Sequence, residues 1–128
     1  MVSRKTIRSL AAHIARKFRP ERIILFGSYA HGRPTEDSDV DLLVILPFSG
    51  PAYLKAAEIR TEIAAPFPLD LLARTPAEIR RRLSWNDFFL REAIEKGKTL
   101  YAATDRVPRR MVDTRGSGMR RTRPCATA

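Results

Sequence analysis

The sequence predicts an α/β fold of the α+β kind, a small mixed β-sheet with helices packed on it. Two observations carry this. Short apolar runs, too brief for helices, alternate with longer stretches of helical period. The order they give, α-β-loop-β-α-β-α-α, leaves only 13 residues (27–39) between the first two strands, too few for a full crossover helix. A parallel βαβ unit is therefore not expected there.

Each element has its own signal. "TIRSLAAHIARKFRP" places Ile7, Leu10, Ala11, Ile14 and Phe18 at helical spacing and stops at Pro20. "RIILF" (22–26) is a buried-strand run ended by Gly27, and the loop beyond it has room for one short helical turn from Ser28, closed by Gly32. "VDLLVIL" (40–46) is a second strand, rich in β-branched residues and closed by Pro47. Residues 51–65 read as a helix with Pro51 at its start and Pro66 beyond its end. "PLDLLA" (68–73) is a third strand.

"TPAE" (75–78) sets out a capping box, with Thr75 as N-cap, Pro76 in the first helical position and Glu78 reaching back. Helical pattern runs to about Leu83 and continues through "SWNDFFLREAIEKG" to Gly97, with Trp85, Phe88, Phe89 and Ile94 expected as core or interface residues. "TLYA" (99–102) is short enough for a last strand. The period ends near residue 103, which divides the chain into a domain over 1–103 and a basic tail over 104–128.

Composition bounds the function classes. A hydrophobic fraction of 44% suits one modest core, and no apolar run approaches the roughly 20 residues of a membrane span. "MVSRKTIRSLAAHIARKF" carries charge through what would be the apolar part of a signal peptide, and the single Cys125 allows no internal disulfide, so a cytoplasmic protein is expected. The net charge of +10 is concentrated: residues 105–128 hold seven arginines and two aspartates. Such a tail is expected to be solvated and disordered rather than a nucleic-acid site, since pI alone does not argue for nucleic acid.

The chemistry lies in "FGSYAHGRPTEDSDVDLLVIL". Asp39 and Asp41, at i and i+2 where a strand begins, point to one face and disfavour each other's ionisation unless a cation intervenes. Carboxylate oxygens suit a hard divalent ion, above all magnesium. Asp70 stands inside an apolar strand run; if that strand neighbours the first acidic one, a third carboxylate joins the site, and if not it is an edge-strand acid facing water. Three carboxylates can hold two magnesium ions about 3.5–4 Å apart, the arrangement for in-line phosphoryl or nucleotidyl transfer. Gly27 and Ser28 offer backbone and hydroxyl to a phosphate, at the start of a helical turn, and Arg33 is long enough to reach the same anion.

"LFGSYAHGRPTEDSDVDLLVI" resembles the signature of the minimal nucleotidyltransferases of the polymerase β superfamily, in which Gly-Ser, ten residues and Asp-x-Asp form the active site. The resemblance continues through "PLDLL", where the third acid belongs, to "EKGKTLYA", and covers about residues 5–102; His31 stands where members often carry arginine. It implies a reduced polymerase-palm fold and transfer of AMP from ATP to a hydroxyl with release of pyrophosphate. Asp39 and Asp41 would bind both magnesium ions, Asp70 the one that activates the attacking oxygen, and Gly27 and Ser28 the β,γ-phosphates. Members this short are commonly antitoxins paired with a helical HEPN-domain ribonuclease toxin, neutralised by adenylylation of a tyrosine, by binding, or by both.

Other readings fit less well. A haloacid-dehalogenase-type phosphatase places its hydrophobic strand before Asp-x-Asp, whereas here Leu42–Leu46 follow it. Glycosyltransferases with Asp-x-Asp need a longer chain. No Gly-Lys-Ser/Thr follows Gly27, no Gly-x-Ser-x-Gly occurs, and neither His13 nor His31 has a second ligand at zinc spacing. The serious alternative is a non-catalytic antitoxin that acts by binding alone, whose sequence mark would be exposed Trp85, Phe88 and Phe89.

Overall fold

A computed structural model describes residues 2–103; the tail expected over 104–128 lies outside the described residues. Helix α1 (Arg4–Phe18) starts at Ser3, whose hydroxyl accepts the Thr6 amide, and ends at Arg19 in the left-handed region. Strands β1 (Arg22–Phe26) and β2 (Val40–Ile45) follow, then α2 (Ala52–Ile63), β3 (Leu69–Arg74), α3 (Pro76–Ser84), α4 (Phe88–Lys96) and β4 (Lys98–Ala102).

The strands form one sheet in the order β3-β2-β1-β4. β1 runs antiparallel to both β2 and β4, so the short loop makes a hairpin-like return rather than a crossover, as its length requires. β2 and β3 are parallel, joined by α2.

Alternation along β2 divides the core. Val40, Leu42 and Val44 face α1 and α2 together with Ile23, Leu25, Leu71 and Ala73. Leu43 and Ile45 face the other way, with Ile24, against Ile79 of α3 and Leu90 of α4. Asp41 shares this second face, as do its partners across the sheet, Phe26 on β1 and Asp70 on β3. No helix among the described residues is long and apolar enough to cross a membrane.

Two local expectations are corrected. Thr75 does cap α3, accepting the Glu78 amide at 3.1 Å, but the Glu78 carboxylate turns to Arg82 at 3.1 Å instead of reaching back. A guanidinium one turn away offers a charge-assisted bond that a backbone amide does not match. The helical stretch after Thr75 breaks at Asn86, which has φ +60, and Asp87 restarts it by accepting the Leu90 amide at 3.1 Å. Arg82 bonds Asp87 at 3.2 Å and ties the two helices together.

The break also turns the aromatic residues outward. Trp85, Phe88 and Phe89 are 67%, 77% and 52% exposed, not core. In α4 the buried side is taken by Leu90 and Ala93. Phe88, two residues before Leu90, lies about 160° around the helix from it. Of the four, Ile94 packs against the buried cluster, and Phe89 meets the half-buried Phe26 at its edge.

Candidate active site

The parallel pairing of β2 with β3 sets Asp41 directly beside Asp70. Asp39 precedes β2 by one residue, at the mouth of the same strand. The three acids therefore gather at one end of the sheet, where β1 ends and β2 and β3 begin. Asp70 is exposed, on an edge strand, and still belongs to the acidic group: both readings left open for it hold at once.

The electrostatics are those of crowded carboxylates. Burial pushes the Asp41 carboxyl up to about 6, and the charges of Asp70 and Asp39 and a hydrogen bond with Asp70 push the same way. Among the described residues no group of three or more acid, histidine or cysteine side chains is drawn together closely enough to hold a metal ion as it stands. The acids instead form an open, all-oxygen set whose repulsion a hard divalent cation would relieve, so the residues present fit magnesium.

Gly27 has a specific structural reason. Its φ is +76, a region that L side chains rarely adopt, and a Cβ there would collide with Asp41 Oδ2. The glycine thus makes room for the carboxylate of Asp41. Beyond it, the expected helical turn is a hydrogen-bonded turn and not a helix: Ala30 and His31 donate to the Gly27 carbonyl at 3.0 and 3.3 Å, and Arg33 donates to that of Ser28 at 3.0 Å. With one turn there is no macrodipole to invoke. Gly32 follows with φ +71, and the Tyr29 hydroxyl accepts the Val2 amide at 3.0 Å, fixing the loop to the start of α1.

Ser28, His31 and Arg33 line a cleft of about 550 Å3 together with Glu92 and Lys96 of α4. The first three are the loop residues singled out by sequence. Glu92 and Lys96 were not: their only signal is the i,i+4 spacing of an ordinary surface ion pair, here 3.6 Å, and it is the packing of α4 that brings them in. A second cavity of about 480 Å3, lined by Ile7, Leu25, Tyr29 and Leu100 among others, has no acid in its wall. Ile7 and Leu25 belong to the α1 face, so that cavity lies across the sheet from Asp41.

A family model described as a nucleotidyltransferase domain matches residues 7–101. The chain belongs to that nucleotidyltransferase family. A candidate protein adenylyltransferase of Methanocaldococcus jannaschii is 29% identical over 105 residues, which is 79% of this chain and 100% of that protein. Among solved structures, a candidate nucleotidyltransferase from Sulfolobus solfataricus is similar with TM-score 0.49 and 20% identity, over 60% of this chain and 70% of that one. A toxin–antitoxin structure with AMP-PNP is similar with TM-score 0.45 and 18% identity, over 77% of this chain and 75% of that one.

Proposed function

We propose that this nucleotidyltransferase moves AMP from ATP onto a hydroxyl, a tyrosine, of a partner HEPN-domain toxin, and so acts as its antitoxin. The observation that carries the reading is the row formed by Asp41 and Asp70 in register, with Asp39 at its entrance and Gly27 shaped around Asp41. The relative named as a candidate protein adenylyltransferase supports AMP as the group moved and a protein as acceptor. The toxin partner follows from the sequence resemblance.

In this reading Asp39, Asp41 and Asp70 would hold magnesium, two ions in all, and the metal would supply charge neutralisation at the transferring phosphate and at the attacking oxygen. The chain's own groups do the rest. Ser28 and the Gly27 backbone hold the β,γ-phosphates, with Arg33 and Lys96 in the same cleft to balance their charge. The acceptor oxygen attacks the α-phosphorus in line. A new P–O bond forms, the bond from the α-phosphorus to the α,β-bridging oxygen breaks, and pyrophosphate leaves. The acceptor's hydroxyl proton passes to the Asp70 carboxylate, the exposed member of the in-register pair.

Intact mass spectrometry of the purified chain with magnesium, ATP and the product of the adjacent gene tests this. An adenylate increment on that product, lost in Asp39→Asn and Asp41→Asn, is the expected result. The exposed Trp85, Phe88 and Phe89 favour a second reading, neutralisation by binding alone. That reading predicts a tight, silenced complex with no increment.

A further inference from the structure

We infer that the surface formed by Trp85, Phe88 and Phe89, bordered by Arg81, docks an apolar, acid-rimmed face of the acceptor protein. The inference rests on the proposed transfer to a protein.

Exposed aromatics of this size, consecutive around one helix break, are not a byproduct of core packing. α4 already satisfies the core with Leu90 and Ala93, and Trp85 and Phe88 are more than half exposed. Aromatic side chains in such a cluster are the usual anchors of protein interfaces.

The place of the patch matters as much as its chemistry. Phe89 meets Phe26 edge-on, with ring centroids 5.6 Å apart, and Phe26 is the cross-strand neighbour of Asp41. The far end of the same helix supplies Glu92 and Lys96 to the phosphate cleft. One continuous surface therefore runs from the aromatics to the acids, and a protein seated on it brings its own hydroxyl over Asp41 and Asp70.

Charge selects the occupant. Arg82 is taken up by Glu78 and Asp87, and Arg91 by Glu95. Arg81 is exposed and, among the described residues, has no acidic partner; it lies 5.7 Å from the Trp85 ring. The free charge at the patch is thus positive. It disfavours the chain's own tail, with its seven arginines against two aspartates, and a second copy, which would bring the same arginine up against itself. An acidic rim on the acceptor fits.

The test begins by labelling. The purified chain, with magnesium and ATP carrying radiolabel in the α-phosphate, marks its acceptor in a clarified lysate of the source cells, and that protein is then purified. Its affinity for the chain is compared with that of Phe88→Ser and, separately, of Arg81→Glu. Each is expected to weaken binding at least tenfold and to raise the acceptor KM in step, with kcat at saturating acceptor retained. Tyr53→Ser, at a position 72% exposed on α2 across the sheet, is the control expected to bind normally. Unchanged affinity in both variants overturns the docking surface and leaves the transfer reading intact. So does a dimer of the chain alone that dissociates in Phe88→Ser. A lysate in which no protein is marked overturns the transfer reading and the inference with it.

Discussion

Asp41 Oδ2 fills the space that a side chain on residue 27 would need, so Gly27 and Asp41 are locked together across the β1–β2 pair. Phosphate approach is the usual reason given for a glycine in this kind of loop. Here a closer demand comes first, since the carboxylate that would hold metal already rests against the glycine.

Gly27→Ala is therefore expected to cost about 1–3 kcal/mol from the left-handed backbone alone, with more from displacing the Asp41 carboxylate. The folded domain should lose several degrees in Tm, and nucleotidyl transfer should fall with it. Gly32→Ala, which has positive φ but open space around its Cβ, separates the two effects. It should lose stability and keep the acids in place, which scanning calorimetry and a transfer assay on the two variants would show.

Asp39→Asn, Asp41→Asn and Asp70→Asn are each expected to lower transfer by about a hundredfold or more, about 2.7 kcal/mol of transition-state stabilisation. Asp70→Asn should act mainly on kcat, because the group beside the acceptor matters in the transition state more than in nucleotide binding. Equal transfer by Asp70→Asn and the unaltered chain would remove Asp70 from the site.

The raised Asp41 carboxyl makes the metal-free protein pH-sensitive. Its pKa is about 6 in the folded state against 3.8 in the reference, so between those values the folded chain holds a proton that the unfolded chain has released. Stability should thus decline as pH rises from about 4 to about 6, with no further loss from this group above that. Asp41→Asn should flatten this slope and be the more stable protein at pH 7.5 without divalent ions. Magnesium should then raise the Tm of the unaltered chain and leave that of the variant nearly unchanged, as thermal melts with and without chelator would report.

The helix break between α3 and α4 depends on its caps. Thr75→Ala is expected to cost about 1 kcal/mol, read from denaturant unfolding, and Asp87→Ala to destabilise in the same direction. The Leu90 amide, and after it Arg82, hold the Asp87 carboxyl below its ordinary range. Its contribution is present at neutral pH and lost as pH falls through that lowered value. The Asp87→Ala defect should accordingly shrink in acid, while that of Thr75→Ala should not.

Much of this was legible in the residues. The apolar run "RIILF" gives β1 with the bounds Arg22–Phe26, because a short hydrophobic run between turn residues has few other ways to be buried. Thr75 announces a helix start because its hydroxyl serves an amide three residues on, a purely local bond. The turn after Ser28 was less legible, since five or six residues can close as a helix or as a turn at similar cost, and only the anchoring of Tyr29 on Val2 and of Gly27 under Asp41 selects one. Trp85, Phe88 and Phe89 were left between core and interface because hydrophobicity says that a side chain gains from burial, not that a core has room for it. The Asn86 break left that room to Leu90 and Ala93.

By itself the sequence determined what depends on neighbours along the chain: the strands and caps, the two-residue spacing that turns Asp39 and Asp41 to one side, and the oxygen-only chemistry of the acids. The tertiary structure alone decided what depends on pairings between distant segments. It set β3 parallel beside β2, which made Asp70, still an exposed acid on an edge strand, the neighbour of Asp41. It also laid α4 against the sheet, which brought Lys96 to Ser28 and left Phe88 in water. The physical reason is that register and packing are chosen by the summed burial of whole faces, a quantity that no single stretch of sequence contains.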